Sequence, residues 1–272
     1  QMCIRDSLYM YIGTAKPSHT ERSSVPHHLI DAVEPDKPFN VAIYQELACQ
    51  TIKEIQKRGK LAFLVGGSGL YMWSVIEGWH VPPVPPNPNF RKIKEAQAAD
   101  QGVDALHKQL QQIDPVSAER IDPRNVRRVI RALEIFEATQ IPYSYFQRKQ
   151  PPPFHPLVIG LTTDRQNLYR RIDARVDQML KSGLVDEVKG LMERGYSSNL
   201  SSMSSVGYRQ IFTYIDGKID LPTAVQQIKF ETHRFARQQY TWFRLNDPRI
   251  KWMDIDDNME EKASLYLKER IA

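Results

Sequence analysis

Between residues 39 and 58, apolar positions recur at helical spacing. Val41, Tyr44, Leu47, Ala48, Ile52 and Ile55 fall on one side of a wheel turning about 100° per residue. This predicts an amphipathic helix, stopped by Gly59. Residues 61–65 are then an unbroken apolar run of strand length, read as a short buried strand. Gly66, Gly67, Ser68 and Gly69 form the turn after it, and residues 70–77 return to helical spacing. Helix, apolar strand, Gly-rich turn, helix is the rhythm of a parallel α/β sheet.

The pattern then breaks. Residues 81–88 hold five prolines in eight positions, which excludes helix and central strand. A second Pro-rich stretch covers residues 150–156. Between the two the pattern is helical and strongly charged, without a strand-like run. Past the second stretch, residues 157–161 predict a strand. Residues 164–182, 184–194 and 221–245 predict long helices, and residues 251–255 a last strand. The organisation expected is an α/β core over residues 1–81 and 154–272, interrupted by a helical insert over residues 82–153 between two stiff linkers.

Composition narrows the classes. Of 272 residues, 41% are apolar and 25% charged, which is ordinary for a globular chain and too apolar for disorder. The net charge of +5 permits a polyanionic partner without demanding one. Two cysteines, Cys3 and Cys49, exclude a disulfide scaffold and suit a reducing compartment. The longest apolar run, residues 61–65, is far short of the ~20 residues of a membrane span. With no secretory signal, a cytoplasmic enzyme or RNA-binding protein is the class expected. The chain begins with Gln, and residues 1–7 carry no readable periodicity, as in a fragment or behind a foreign leader.

Charge is unevenly placed. A helix opened by Asp122 and Pro123 sets Val126, Val129, Ile130, Leu133 and Phe136 on one face and Arg124, Arg127, Arg128 and Arg131 on the other. Two readings stand: a solvated helix face, or a stripe complementary to a phosphate backbone, which arginine grips as a planar fork. Arg171 and Arg175 lie four apart on one helix face, with Asp173 and Asp177 in the same helix. Intrahelical ion pairs are one reading and a two-arginine clamp on a diphosphate the other. Residues 237–244 mix Arg, Gln, Tyr, Thr, Trp and Phe, which suits either a core helix or a surface for unpaired RNA bases.

Other candidates are weaker. Ser68 is not a hydrolase nucleophile, because position 70 is Leu and the Gly-x-Ser-x-Gly elbow fails. It is read as a hydrogen-bonding group at the end of a strand. No Gly-x4-Gly-Lys-Ser/Thr loop occurs, and Gly13 to Pro17 resembles its tail only superficially. His27 and His28 lack partners at metal-ligand spacing.

Taken together, seven segments resemble one family, the tRNA dimethylallyltransferases (tRNA isopentenyltransferases). They are Ile-Gly-Thr-Ala-Lys-Pro at 12–17, Pro-His-His-Leu-Ile-Asp at 26–31, Leu-Val-Gly-Gly-Ser-Gly-Leu-Tyr at 64–71, the Arg-rich residues 125–134, Arg-Ile-Asp-Ala-Arg-Val-Asp-Gln-Met-Leu at 171–180, Val-Gly-Tyr-Arg-Gln at 206–210, and Gln-Tyr-Thr-Trp-Phe-Arg at 239–244. Their order and spacing cover roughly residues 10 to 254. The resemblance implies a P-loop-kinase-like parallel-sheet core with a helical insert that moves over tRNA. It implies transfer of a dimethylallyl group from dimethylallyl diphosphate to the exocyclic amine of the adenosine 3′ of the anticodon, with Mg2+ beside the diphosphate. A cytoplasmic monomer with no membrane association is implied as well.

Carried over by position, Ser68 replaces a threonine that hydrogen-bonds the target base, and Arg171 and Arg175 bind diphosphate. Contacts to the tRNA anticodon stem-loop fall to Arg91, Arg124, Arg127, Arg128, Arg131, Ser204, Ser205, Gly207, Tyr208, Arg209, Arg237, Gln238, Gln239, Thr241, Trp242 and Arg244. The chain departs from the family pattern at its start. The family's phosphate loop and the Asp-Ser pair carrying its general base belong before Gly13. Asp6 and Ser7 mimic that pair but lie about four residues too close, so the base is not assigned to Asp6 and no metal ligand is located. Gln238 stands where Arg is common, and Ser204 where Gln or Arg is. The expectation is that the chain as written lacks measurable transferase activity. Two alternatives stand beside this reading. One is an enzyme acting on free adenine nucleotides, which has no need of the Arg stripe. The other is a tRNA-binding protein without catalysis.

Overall fold

The computed structural model describes residues 4–271; Gln1, Met2, Cys3 and Ala272 lie outside them, and with Cys3 the cysteine reading made there. In chain order the helices are α1 (His19–Ser24), α2 (Val41–Lys57), α3 (Gly69–Ile76), α4 (Pro88–Gln101), α5 (Val103–Ile113), α6 (Pro115–Arg120), α7 (Val126–Thr139) and α8 (Tyr143–Phe146). Strand β1 (Val158–Thr162) follows, then α9 (Arg165–Lys181), α10 (Leu184–Glu193), α11 (Tyr208–Ile215), α12 (Leu221–Trp242), β2 (Ile250–Asp254) and α13 (Met259–Ile271). Two compact units result: residues up to 72 with those from 154, and residues 73–153.

The first unit is an α/β body with a small parallel sheet. β1 and β2 run in register from Val158 opposite Ile250 to Thr162 opposite Asp254, so both carboxyl ends finish at one level. Gly160 is needed where it stands, because a Cβ there would lie 2.6 Å from the Trp252 ring. Helices α9 to α12 bury Val176, Leu184, Val188, Leu191, Tyr208 and Ile211 around Met10. Their starts follow from capping. Asp164 accepts from Asn167 N at 2.9 Å, and Asp220 accepts from Thr223 N at 2.9 Å with Pro222 in the first turn. Asn40 caps α2 in the same way.

One expected element is absent. Residues 61–65 form no strand, and Leu61, Phe63 and Val65 are 52%, 69% and 79% exposed. An apolar run of strand length supplies only the side chains. A strand also needs a neighbour for its N–H and C=O groups, and no described strand pairs with this one.

The second unit is helical. Leu106, Leu110, Val129, Ile130 and Leu133 form its core, so the apolar face of α7 points as the wheel predicts. The helix begins later than expected. Asn125 is its cap, accepting from Arg128 N at 3.3 Å, while Asp122 instead closes a turn onto Arg124 N at 2.9 Å.

Candidate functional site

The parallel strands end at Thr162 and Asp254, and a cleft of about 380 Å³ opens just beyond them. Thr163, Asn167, Arg170, Arg171, Ala174 and Ile255 line it. In parallel α/β sheets ligands bind outside the carboxyl ends of the strands. Here that position carries two guanidinium groups, a hydroxyl and an amide, the donor set of an anion site. Arg170 donates to Asn167 Oδ1. Arg171 makes no ion pair with the described residues.

The intrahelical pairing of α9 does not occur. Asp173 Oδ1 lies 2.9 Å from His233 Nε2, and Asp177 Oδ1 lies 2.6 Å from Lys229 Nζ, both on α12. Arg171 and Arg175 are thereby left without acidic partners among the described residues. Only Arg171 lines the cleft. Arg175 sits one turn further along, where partial burial and the Arg5 guanidinium hold it below the usual arginine range.

The end of α12 ties the Gly-rich turn to the end of β1. Gln239 Nε2 donates to Gly67 O at 3.0 Å, and a Cβ on Gly67 would lie 2.1 Å from that nitrogen. A Cβ on Gly69 would lie 2.2 Å from Trp242 Cγ. The Tyr240 hydroxyl is 3.2 Å from Thr162 Oγ1. Glycines at 67 and 69 are thus a requirement of close packing by α12. Ser68 O accepts from Tyr71 N and Met72 N at 3.0 Å to start α3, and its hydroxyl makes no hydrogen bond to the described residues.

Several sites expected on tRNA are engaged elsewhere. Tyr208 is fully buried, and its hydroxyl donates to Glu187 Oε1 at 2.6 Å, so its ring belongs to the core. Burial and the Glu187 carboxylate hold that phenol far above its usual range. Gly207 N is buried and donates to Gln210 Oε1 at 2.9 Å. Gln239 and Trp242 are committed to the turn. Ser204 and Ser205 donate to Ser201 O and Ser202 O within their own turn. Arg209, Arg237, Gln238, Thr241 and Arg244 remain exposed.

In the helical unit the arginine stripe divides. Glu134, 2% exposed, accepts from Arg91 Nε at 2.9 Å and Nη2 at 2.7 Å, from Arg131 Nη1 at 2.5 Å, and from Asn87 N at 2.6 Å. Burial raises its pKa, but the Arg91 guanidinium, the Asn87 amide and Arg131 outweigh that and hold the carboxyl below its usual range. Arg91 and Arg131, both half-buried, are therefore tied to the buried Glu134, the latter also donating to Val84 O at 2.8 Å. Arg124 pairs with Asp122 at 2.7 Å. Arg127 and Arg128 are exposed and make no ion pair with the described residues, so they alone keep the free-stripe character.

Sequence reasoning missed three carboxylate anchors: Glu187, Glu134 and Asp173. Glu187 accepts the N–H groups of Tyr11 and Ile12 at 2.8 Å and of Gly13 at 3.3 Å, together with the Tyr208 hydroxyl. Nothing local in the sequence marks it. Lys16, in the segment like a phosphate-loop tail, is occupied by Asp31 at 2.6 Å and by Ser7 O. Among the described residues no three His, Cys, Asp or Glu side chains converge to hold a metal ion.

A small parallel sheet with an arginine-lined cleft beyond its carboxyl ends, a Gly-rich turn packed on α12 and a separate helical unit define an α/β fold class with a helical insert. The IPP transferase family model matches residues 8–246, and the chain belongs to that family. It is 52% identical to the tRNA dimethylallyltransferase of Roseiflexus castenholzii over 236 residues, 87% of this chain and 77% of that protein. The crystal structure of the full-length tRNA isopentenylpyrophosphate transferase from Bacillus halodurans superposes with a TM-score of 0.69 at 40% identity, covering 98% of this chain and 84% of that one. A eukaryotic dimethylallyltransferase acting on tRNA shares the fold, with a TM-score of 0.82 at 22% identity over 99% of this chain and 71% of that one.

Proposed function

We propose that the protein transfers a dimethylallyl group from dimethylallyl diphosphate to the exocyclic amine of the adenosine 3′ of the anticodon in tRNA. The observation that carries this is the Arg170–Arg171 cleft at the carboxyl ends of β1 and β2. In the reaction the allylic C–O bond breaks, the diphosphate leaves with the bonding electrons, the C–N bond forms, and one proton leaves the amine. Negative charge grows on the leaving diphosphate, and two guanidinium groups at that point, Arg170 held by Asn167 and Arg171 without an acidic partner among the described residues, favour the transition state over the ground state. The free Ser68 hydroxyl supplies a hydrogen bond to the base. Exposed Arg127 and Arg128 on the helical unit, and Arg237 and Arg244 on α12, supply sequence-independent phosphate contacts.

Membership of the family and the tRNA-modifying names of its relatives support the substrate pair. No described helix is long and apolar enough to cross a membrane. The reading takes the protein as a cytoplasmic monomer, the compartment of its tRNA substrate. The test incubates unmodified tRNA and dimethylallyl diphosphate with a form carrying the family's phosphate loop and Asp-Ser pair ahead of Gly13, with the chain as written alongside and expected to be inactive, and follows the added mass on anticodon-loop fragments. Prenylated adenosine 3′ of the anticodon is expected. Modification of free adenine nucleotides with none on tRNA would overturn the reading.

A further inference from the structure

Helices α9 and α12 meet along a ladder of three polar rungs. Tyr169, Asp173 and Asp177 stand four residues apart and share one face of α9, and Arg237, His233 and Lys229 do the same on α12, in the opposite direction. Arg237 Nη1 donates to the Tyr169 hydroxyl at 2.7 Å. His233 Nε2 lies 2.9 Å from Asp173 Oδ1, and Lys229 Nζ lies 2.6 Å from Asp177 Oδ1. The first two rungs are joined, because the Tyr169 and His233 rings stack with centroids 4.0 Å apart and planes 8° apart.

The middle rung is sealed. His233 Nε2 and Asp173 Oδ1 are both buried and approach to 2.9 Å, but neither makes an aligned hydrogen bond with the described residues. The half-buried imidazole is packed between α9 and α12, and its stack on Tyr169 holds that ring in place.

The outer rung has no such structural purpose. Arg237 is exposed, and an exposed arginine–phenol hydrogen bond adds little to stability in water. It does fix direction. A free arginine side chain loses rotamer freedom on binding, and one already held at Nη1 loses less. The remaining donors of the fork stay available for a phosphate oxygen.

We propose that Tyr169 is a positioning residue: clamped by His233, its hydroxyl holds the Arg237 guanidinium in one orientation towards the backbone of bound tRNA. This rests on the reading of Arg237 as an RNA contact. The test measures tRNA affinity of the full chain, using an unmodified transcript with adenosine 3′ of the anticodon and fluorescence anisotropy as readout. Tyr169→Phe keeps the stack and removes only the hydroxyl. It is expected to weaken binding by about 3- to 10-fold without moving the melting temperature. Arg237→Ala is expected to weaken it at least as much, and the double variant no further than Arg237→Ala alone. Asp177→Asn breaks the third rung as a control, lowering the melting temperature while leaving affinity unchanged. Unaltered affinity in Tyr169→Phe, additive losses in the double variant, or a loss of affinity in Asp177→Asn matching that of Tyr169→Phe would each overturn the proposal. If the wild-type chain binds no tRNA, the proposed function falls and this inference with it. If the wild type binds and Tyr169→Phe binds equally, only the inference falls.

Discussion

The Tyr208 hydroxyl donates to Glu187 Oε1 at 2.6 Å, and the same carboxylate accepts the backbone N–H groups of Tyr11, Ile12 and Gly13. One side chain on α10 therefore pins the 11–13 loop to α11. Gly13 is part of the device, since a Cβ there would lie 2.4 Å from the Tyr208 ring. Tyr208→Phe leaves the carboxylate one donor short, and a loss of about 1.5–3 kcal/mol is expected in urea unfolding. Glu187→Gln turns a donating NH2 towards groups that are themselves donors, so its cost should be at least as large. Losses of only a few tenths in both variants would show that the loop is held by other contacts.

Gly69→Ala should detach the end of α12 from the Gly-rich turn. Its new Cβ would come within 2.2 Å of Trp242 Cγ, a side chain that cannot retreat without losing its packing. Overpacking of this kind costs about 1–3 kcal/mol. Thermal melts report the cost, and a red shift of tryptophan emission reports the displaced ring. An unchanged emission spectrum would contradict the packing described.

The two classes of arginine on the helical unit should separate by salt dependence. Arg128→Gln is expected to reduce the slope of log affinity for tRNA against log salt by about 0.7–0.9, the value of one lost phosphate contact. Arg131→Gln should leave the slope nearly unchanged and instead lower stability, because it removes a partner from buried Glu134. Slopes measured between about 50 and 200 mM salt decide it. An unchanged slope in Arg128→Gln would make this face simply a solvated one.

Arg171 and Arg175 should likewise differ. Arg171 lines the cleft at the carboxyl end of β1 and Arg175 does not. Arg171→Ala is expected to lower kcat/KM for dimethylallyl diphosphate by about 10- to 100-fold, the equivalent of one charge-assisted hydrogen bond. Arg175→Ala should have the smaller effect. Steady-state kinetics with tRNA saturating, in the form carrying the family's phosphate loop and Asp-Ser pair, makes the comparison, and a larger loss from Arg175→Ala would move the diphosphate one turn along α9.

Asp6 should make stability depend on pH. Its carboxyl is buried with Oδ2 unpartnered, and burial pushes it from 3.8 up to about 6 despite the Ser7 hydroxyl. The folded chain holds this proton more tightly than the unfolded one. The resulting stabilisation is complete below the unfolded pKa and is lost as pH rises through the folded value. A shift of about 2 units corresponds to about 3 kcal/mol. Asp6→Asn should therefore be more stable than the wild type at about pH 8 and equal to it at about pH 3.5. Thermal melts at both values check this; the same difference at both would remove the titration as its cause.

Periodicity, capping residues and prolines were enough to place α2, α7, α9, α12 and both strands within a few residues, because they depend on neighbours a few positions away. The seven motif segments, read together, also carried the family. What the sequence could not determine is which partner each polar side chain takes. Residues 61–65 look like a buried strand, and remain unpaired because pairing depends on another strand's backbone. Arg171, Arg175, Asp173 and Asp177 look set for ion pairing within α9, and α12 takes both aspartates instead. By resemblance Arg91, Arg131 and Tyr208 are RNA contacts; in the fold buried Glu134 engages Arg91 from another helix and Arg131 from one turn away, and Glu187 takes the buried Tyr208 hydroxyl. A buried carboxylate must find donors wherever the folded chain brings them, across 43 positions for Arg91 and Glu134 and 176 for Tyr11 and Glu187. Local pattern fixes which face of a helix is apolar, and only the tertiary structure decides which of its charges remain free to meet a ligand.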